Sequence, residues 1–330
     1  MDGFSCKRSW LPRILGVLLT ALCIVGTARA EYPERVVRMI IGLQAGASTD
    51  VLGRSVAKQL SERLGEQFIV ENRPGAATRI GMEAVRNAEP DGYTLGIVNA
   101  VAASFPLMFK DVSFSPPKDF RPITLMARAP SFLAVRHDLP VTNVEEFIAY
   151  AKKNDGKITY GHGGNGSNPH IATAALVASL GVQATPIAYK GNAPTALAVG
   201  SGEVDFALLD YASFRALAER GSIRLLAVTE PTRSALMPDV PTGAEAGLTP
   251  EIEGLTPWFM LVAPARTPDA IITSLSQHVT EILKDGSLQQ TLLNMGIEAQ
   301  DSNPAQAQAT FLEHQERLRV LSNKLNLPMN

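Results

Sequence analysis

Apolar, β-branched runs alternating with capped helical segments mark this 330-residue chain as α/β, folded in two lobes that are each a mainly parallel sheet flanked by helices. Three observations carry that expectation. Residues 36–41 are almost continuously apolar, as a strand buried on both faces must be. They open a strand–helix–strand–helix–strand series whose plan returns later in the chain. Apolar runs near 123–135 and 258–262 then take the chain from the first lobe to the second and back.

The elements follow in order. Lys7, Arg8 and Arg13 precede an apolar run over 14–25 and an Ala28-Arg29-Ala30 end, the order of a secretory signal peptide cleaved after Ala30. That run is well short of the roughly 20 residues that cross a bilayer. Residues 1–30 are therefore expected to be removed and the mature protein to be periplasmic. Leu22 before Cys23 argues against lipid attachment. Cys6 and Cys23 both lie in this segment, so the mature chain has no disulfide, thiolate or cysteine–metal chemistry. It keeps 26 basic and 31 acidic residues, a net charge of −5, which makes nucleic acid a poor partner.

Ser48 is the expected N-cap of a helix in which Val56, Leu60 and Leu64 recur at four-residue spacing and Gly65 closes the end. A second strand over 68–70, a short helix over 82–88, a Pro90-Asp91-Gly92 turn and a strand over 93–98 complete a β-α-β-α-β unit. Such units bind ligands beyond the carboxyl ends of their strands, which makes Asn99 a candidate contact. After Ser115-Pro116-Pro117, the runs 123–126 and 132–135 read as one crossing strand. Asn143 with Glu146 has the capping-box pattern, ahead of a helix to about 153 and a strand over 157–160. A glycine-rich loop leads to a helix that Asn168 is expected to cap, with Pro169 in its first turn and Gly181 at its end. Strands over 204–209, 224–228 and 258–262 follow. Thr267 with Pro268 and Asn303 with Pro304 open terminal helices expected to wrap the first domain. Domain 1 is thus 31–127 plus 257–330, and domain 2 is 128–256.

Gly161-His162-Gly163-Gly164-Asn165-Gly166 matches G-x-G-x-x-G between a strand and a helix, the setting of a dinucleotide loop. The ribose-binding acid expected about 20 residues on is missing, since no Asp or Glu occurs between Gly161 and Gly202. Gly166-Ser167-Asn168 is not the Gly-Lys-Ser/Thr of a P-loop. What remains is an anion site made of backbone N–H groups at a helix N-terminus, in the loop of Gly164 and Gly166, with Ser167 and Asn168 as further donors, or a plain tight turn. Gly46, Ala47, Ser48, Thr49 and Asp50 form the counterpart loop of the first domain. Asp50 reads equally well as a carboxylate serving its own helix terminus and as a contact to ligand or water. Lys190 faces either the cleft or solvent, and Asp210 is a candidate partner for an ammonium group. No histidine pair has H-E-x-x-H spacing, so no metal and no cofactor is expected. Ser48, Ser167 and His170 suggest a nucleophile with a base, but G-x-S-x-G is absent.

Gly46-Ala47-Ser48-Thr49-Asp50, Glu71-Asn72-Arg73-Pro74-Gly75, Pro90-Asp91-Gly92-Tyr93-Thr94, Gly164-Asn165-Gly166-Ser167, Tyr189-Lys190-Gly191, Leu226-Ala227-Val228-Thr229, Pro238-Asp239-Val240-Pro241-Thr242, Glu245-Ala246-Gly247 and Ala263-Pro264 occur in one order. Each is weak alone. Together they resemble the Bug-type extracytoplasmic receptors of the tripartite tricarboxylate transporter family, from about Tyr32 to the C-terminal helices. The resemblance implies a periplasmic binding protein fold of type II, a two-lobed Venus flytrap. It also implies a ligand carboxylate held by loops of both lobes, often through water, with little direct side-chain charge. The sequence departs from that pattern at Ala47, at Ala77-Thr78-Arg79 and at His162, where serine is frequent. The function that follows is a monomeric receptor that passes a small carboxylate to membrane permease subunits. That carboxylate is a dicarboxylate, a tricarboxylate, an amino acid or an aromatic acid. A sensor-linked receptor and a periplasmic hydrolase are the alternatives.

Overall fold

The computed structural model describes residues 32–108, 116–248 and 255–325. The expected signal peptide, both cysteines and Ser115 lie outside the described residues. The described residues from Arg35 onward form one compact unit.

The first part runs β1 (Val37–Ile41), α1 (Ser48–Leu64), β2 (Phe68–Asn72), a 3-10 turn (Ala76–Thr78), α2 (Arg79–Arg86), β3 (Thr94–Asn99), α3 (Val101–Met108), α4 (Pro116–Asp119) and β4 (Phe120–Arg128). The second runs β5 (Ser131–Arg136), α5 (Val144–Lys153), β6 (Ile158–His162), α6 (Asn168–Leu180), β7 (Ala184–Ala188), α7 (Asn192–Ser201), β8 (Phe206–Asp210), α8 (Tyr211–Glu219) and β9 (Ile223–Val228). The chain then returns through β10 (Trp258–Pro264), α9 (Asp269–Leu283), α10 (Gly286–Asn294), β11 (Glu298–Ala299) and α11 (Pro304–Leu325).

Two sheets result, ordered β11-β4-β10-β3-β1-β2 and β7-β6-β8-β5-β9. Each holds a parallel trio, β3-β1-β2 or β7-β6-β8, built by its strand–helix–strand series. The strands that carry the chain across run antiparallel: β10 against β3 and β4, and β5 against β8 and β9. The sheets are therefore mixed rather than mainly parallel. A strand entering directly beside the last member of a parallel series, without a helical crossover of its own, has to run the other way.

The single crossing strand expected over 123–135 is two strands, β4 in the first sheet and β5 in the second. Pro130 stands between them, and a residue without an N–H cannot continue a ladder. The Ala129 N–H donates instead to the Pro257 carbonyl of the returning segment at 2.8 Å. Beside it, buried Glu230 accepts from Arg128 at 3.1 Å and from the Thr256 hydroxyl. One carboxylate so ties the outgoing and returning segments together.

Helix starts differ from expectation by a residue. Ala47 and Ser167, not Ser48 and Asn168, hold the N-cap positions of α1 and α6. Pro268, not Thr267, precedes α9. The helix expected over 82–88 begins earlier, at Arg79. Asn143 caps α5 by accepting from Glu146 N, but Glu146 reaches back to Thr142 N, so the box closes one residue early. At α11, Asn303 and Gln306 exchange both bonds, at 2.8 and 2.9 Å. That terminal helix packs on β4 and α3, and it also reaches α6 of the second sheet, where Asn168 Nδ2 lies 3.3 Å from His314 Nε2. Its Phe311 and Leu318 belong to a buried cluster that joins Ile40 and Met260 of one sheet to Leu133 and Phe206 of the other.

Candidate functional site

Both candidate loops follow the carboxyl end of a central parallel strand and open a helix, the first joining β1 to α1 and the second β6 to α6. In the first, the Ala47 backbone is extended and no side chain caps the helix. The first N–H groups of a helix have no partner within it. Ser48 sits there half-buried, its hydroxyl without a hydrogen bond among the described residues.

Asp50, 3% exposed, braces this loop from inside. Its carboxylate accepts from Gly46 N at 3.0 Å, Arg54 Nε at 3.0 Å and Asn72 Nδ2 at 2.9 Å. Arg54 also donates to Asn72 Oδ1, and Asn72 to the Leu43 carbonyl. Burial alone would raise the pKa of Asp50, but these hydrogen bonds and the Arg54 charge outweigh it and hold the carboxyl below its usual value. Its oxygens serve the loop, β2 and Arg54 of its own helix rather than the first-turn N–H groups of α1. Asn72, which closes the brace, was not singled out from sequence except within the family-like string.

Thr49 and Asn99 line one pocket with Gly42, Thr78 and Gly96, a cavity of about 10 Å³ with room for a single water. Thr78 has φ of +80°, rare for a β-branched residue and a mark of a conformation imposed by its surroundings. Asn99 Oδ1 accepts from Val101 N at 3.3 Å. Arg79, expected as an added cation near the rim, donates to Glu83 one turn along its helix at 2.7 Å.

In the second lobe, three loops that follow β6, β7 and β8 meet. A side chain on Gly163 would lie 2.8 Å from Asn192 Oδ1, so these two loops are in contact. Tyr189 N donates to the His162 carbonyl at 2.9 Å, and Asn192 Nδ2 donates to Asp210. The structure thereby brings Gly164, Gly166, Ser167, His170, Lys190 and Asp210 into one cluster. Within it, Ser167 Oγ donates to the Gly164 carbonyl at 2.7 Å and accepts from His170 N at 3.4 Å. Gly166 N donates to His170 Nδ1 at 3.1 Å. The Gly166 N–H and the Ser167 hydroxyl proton, both expected as anion donors, thus serve the loop itself. Asp210 caps α8 through Ser213 N on one oxygen and holds Asn192 with the other. Lys190 is exposed and has no ion-pair partner among the described residues.

Comparison with known proteins accords with this architecture. A family model described as tripartite tricarboxylate transporter family receptor matches residues 52–327. A TctC solute binding protein from Polaromonas superposes with a TM-score of 0.81 at 30% identity, over 89% of this chain and 99% of that one. The Rhodopseudomonas palustris protein Rpa4515, solved with adipate, gives 0.71 at 31% identity over 91% and 100%. MatC from Rhodopseudomonas palustris, solved with bound malate, gives 0.64 at 26% identity over 88% and 99%.

Proposed function

The chain belongs to the tripartite tricarboxylate transporter receptor family, a family of periplasmic solute-binding proteins, and from that premise we propose that it captures a small dicarboxylate between two lobes and delivers it to membrane permease subunits. The lobes are residues 31–127 with 257–330, and 128–256. The observation that carries this reading is the α1 terminus, where an uncapped first turn and the free Ser48 hydroxyl are donors to an incoming carboxylate.

The ligand class follows from which charges remain. Asp50 and Asp210 already serve as braces of their own loops, which favours an anionic ligand over the ammonium group of an amino acid. Lys190 is a cation without an ion-pair partner among the described residues, suited to a second carboxylate. Relatives of similar fold hold adipate and malate, both dicarboxylates. Hydrolysis is disfavoured for a geometric reason. The Ser167 hydroxyl proton points at a carbonyl and His170 Nδ1 is occupied by a backbone N–H, so no base activates the serine.

A ligand bridging both loops stabilises the closed arrangement by binding it better than the open one. Hydrogen bonds to a charged group contribute about 1.5 to 3 kcal/mol each, so three or four reach the roughly 8 kcal/mol of micromolar affinity. The test is thermal unfolding of ligand-stripped protein with malate, adipate, citrate, glutamate and benzoate. Ligand at 100 times its dissociation constant adds about 2.7 kcal/mol. A shift for malate or adipate and none for glutamate supports the proposal; a shift for glutamate alone sinks the dicarboxylate assignment.

A further inference from the structure

His162 ends β6 and His170 lies in the first turn of α6, and their rings stack with centroids 4.1 Å apart and planes 20° from parallel. Both residues are 2% exposed. Between them in sequence runs the loop with Gly164 and Gly166 at φ of +120° and +72°, positions whose backbone freedom has to be restrained from outside. The restraint comes from the rings. Gly166 N–H points at His170 Nδ1, which requires that nitrogen to be unprotonated and puts the ring proton on Nε2. The Gly164 backbone hydrogen-bonds the His162 ring, while buried His162 Nδ1 has no partner among the described residues. A charged imidazole there would have only the Gly164 backbone bond to set against its desolvation, and burial outweighs it.

We propose that the stacked His162–His170 pair is the positioning element of the second-lobe ligand loop, holding Gly164 to Ser167 in the shape that receives a carboxylate, and doing so only with both rings neutral. The role in ligand capture rests on the receptor reading given above; the geometry of the loop does not. Burial, and then the repulsion of His162, push the pKa of His170 down to about 4, and burial also lowers that of His162. Of the other titratable groups around the pair, Tyr160 on β6 lies 6.0 Å from His162 and burial pushes it up to about 12. Tyr189, whose N–H meets the His162 carbonyl, is likewise about 12, and His314 of α11 meets Asn168 next to the loop. Both phenols stay uncharged across the range in which the histidines titrate.

The experiment uses the mature protein labelled with 15N-histidine. At neutral pH His170 is expected as the Nε2–H tautomer, with a titration midpoint near 4. His162→Ser, which removes the stack, moves that midpoint upward and speeds exchange of the Gly166 amide. His170→Asn keeps an acceptor where Nδ1 sits, and His170→Leu keeps bulk without one. Malate and adipate are the binding probes. The Leu variant should bind the responsive probe about ten-fold or more weakly, the Asn variant within about three-fold of the parent. An Nδ1–H tautomer, or equal affinity of the Leu and Asn variants, overturns the proposal. If neither probe binds the parent while tautomer, midpoint and exchange come out as expected, the positioning of the loop stands and the dicarboxylate reading falls.

Discussion

The loop that opens α1 and the loop that opens α6 hold equivalent places in their sheets, and they treat the helix terminus in opposite ways. In the first, the acid in the opening turn leaves the helix N–H groups uncapped and grips Gly46, Arg54 and Asn72, and Ser48 is left without a partner among the described residues. In the second, Ser167 caps its own helix, and two buried rings back the glycines. One loop is braced at a distance and keeps its donors open; the other closes its donors on itself. A two-lobed receptor built this way meets its ligand with one reactive edge and one prearranged wall, so substitutions on the two sides should fail differently.

The largest effect expected is at Asp50. Asp50→Ala leaves Asn72 Nδ2 and Gly46 N short of their acceptor and removes the pair between the buried carboxylate and the exposed Arg54, a loss of about 2 kcal/mol in urea unfolding. Because the folded pKa lies below the ordinary 3.8, this stabilisation is complete above that value and fades as pH falls through the native pKa. If Asp50→Ala costs no more than loss of a helix cap, the brace is not what holds the first loop.

Acid separates the loops more sharply. His170 titrates near 6.5 when unfolded and near 4 when folded, so between those values the unfolded chain binds a proton that the native one refuses. Its contribution is complete above 6.5 and lost as pH falls toward 4. Lowering pH from 7 to 5 should cost about 2 kcal/mol through this residue, a window in which Asp50 is unaffected. Urea midpoints across that range, flattened in His170→Asn, measure it. A midpoint that does not move between pH 7 and 5 would remove the distinction.

How much of this the sequence displayed depends on how far apart the interacting groups lie. Element order and both crossings were legible because continuous apolar runs such as 36–41 and 258–262 encode burial locally. Strand direction was not, since β10 and β5 differ from the parallel trio only in where the chain enters the sheet. Small-residue α7, Asn192-Ala193-Pro194-Thr195-Ala196, offers no periodicity and was passed over. Cap positions slipped by one because Ala47 and Ser48, or Ser167 and Asn168, present neighbouring acceptable choices. Asn99 and Asp210 end strands and the Ser48 and Ser167 loops follow strand ends, as the strand–helix plan predicts, yet the roles of Asp50 and Asp210 as braces were only partly visible. Their partners Asn72 and Asn192 lie 22 and 18 residues away. Gly46 and Arg54, each four residues from Asp50, and Ser213, three from Asp210, are the partners within local reach.

The smallest change in stability is the most telling about the two loops. Ser167→Ala removes an N-cap acceptor and a bond to Gly164, so it should cost about 1 kcal/mol of unfolding free energy. Ser48→Ala removes a hydroxyl that bonds to nothing among the described residues, so stability should stay within about 0.5 kcal/mol of the parent. Its effect belongs to the ligand: losing one donor to a charged oxygen weakens carboxylate binding about ten-fold. Calorimetric titration with whichever of malate or adipate shifts the melting point, set beside urea unfolding of the same samples, separates the two quantities. A Ser48→Ala protein that unfolds early and binds normally would mean that the first loop is closed on itself like the second, and that the open donors lie elsewhere.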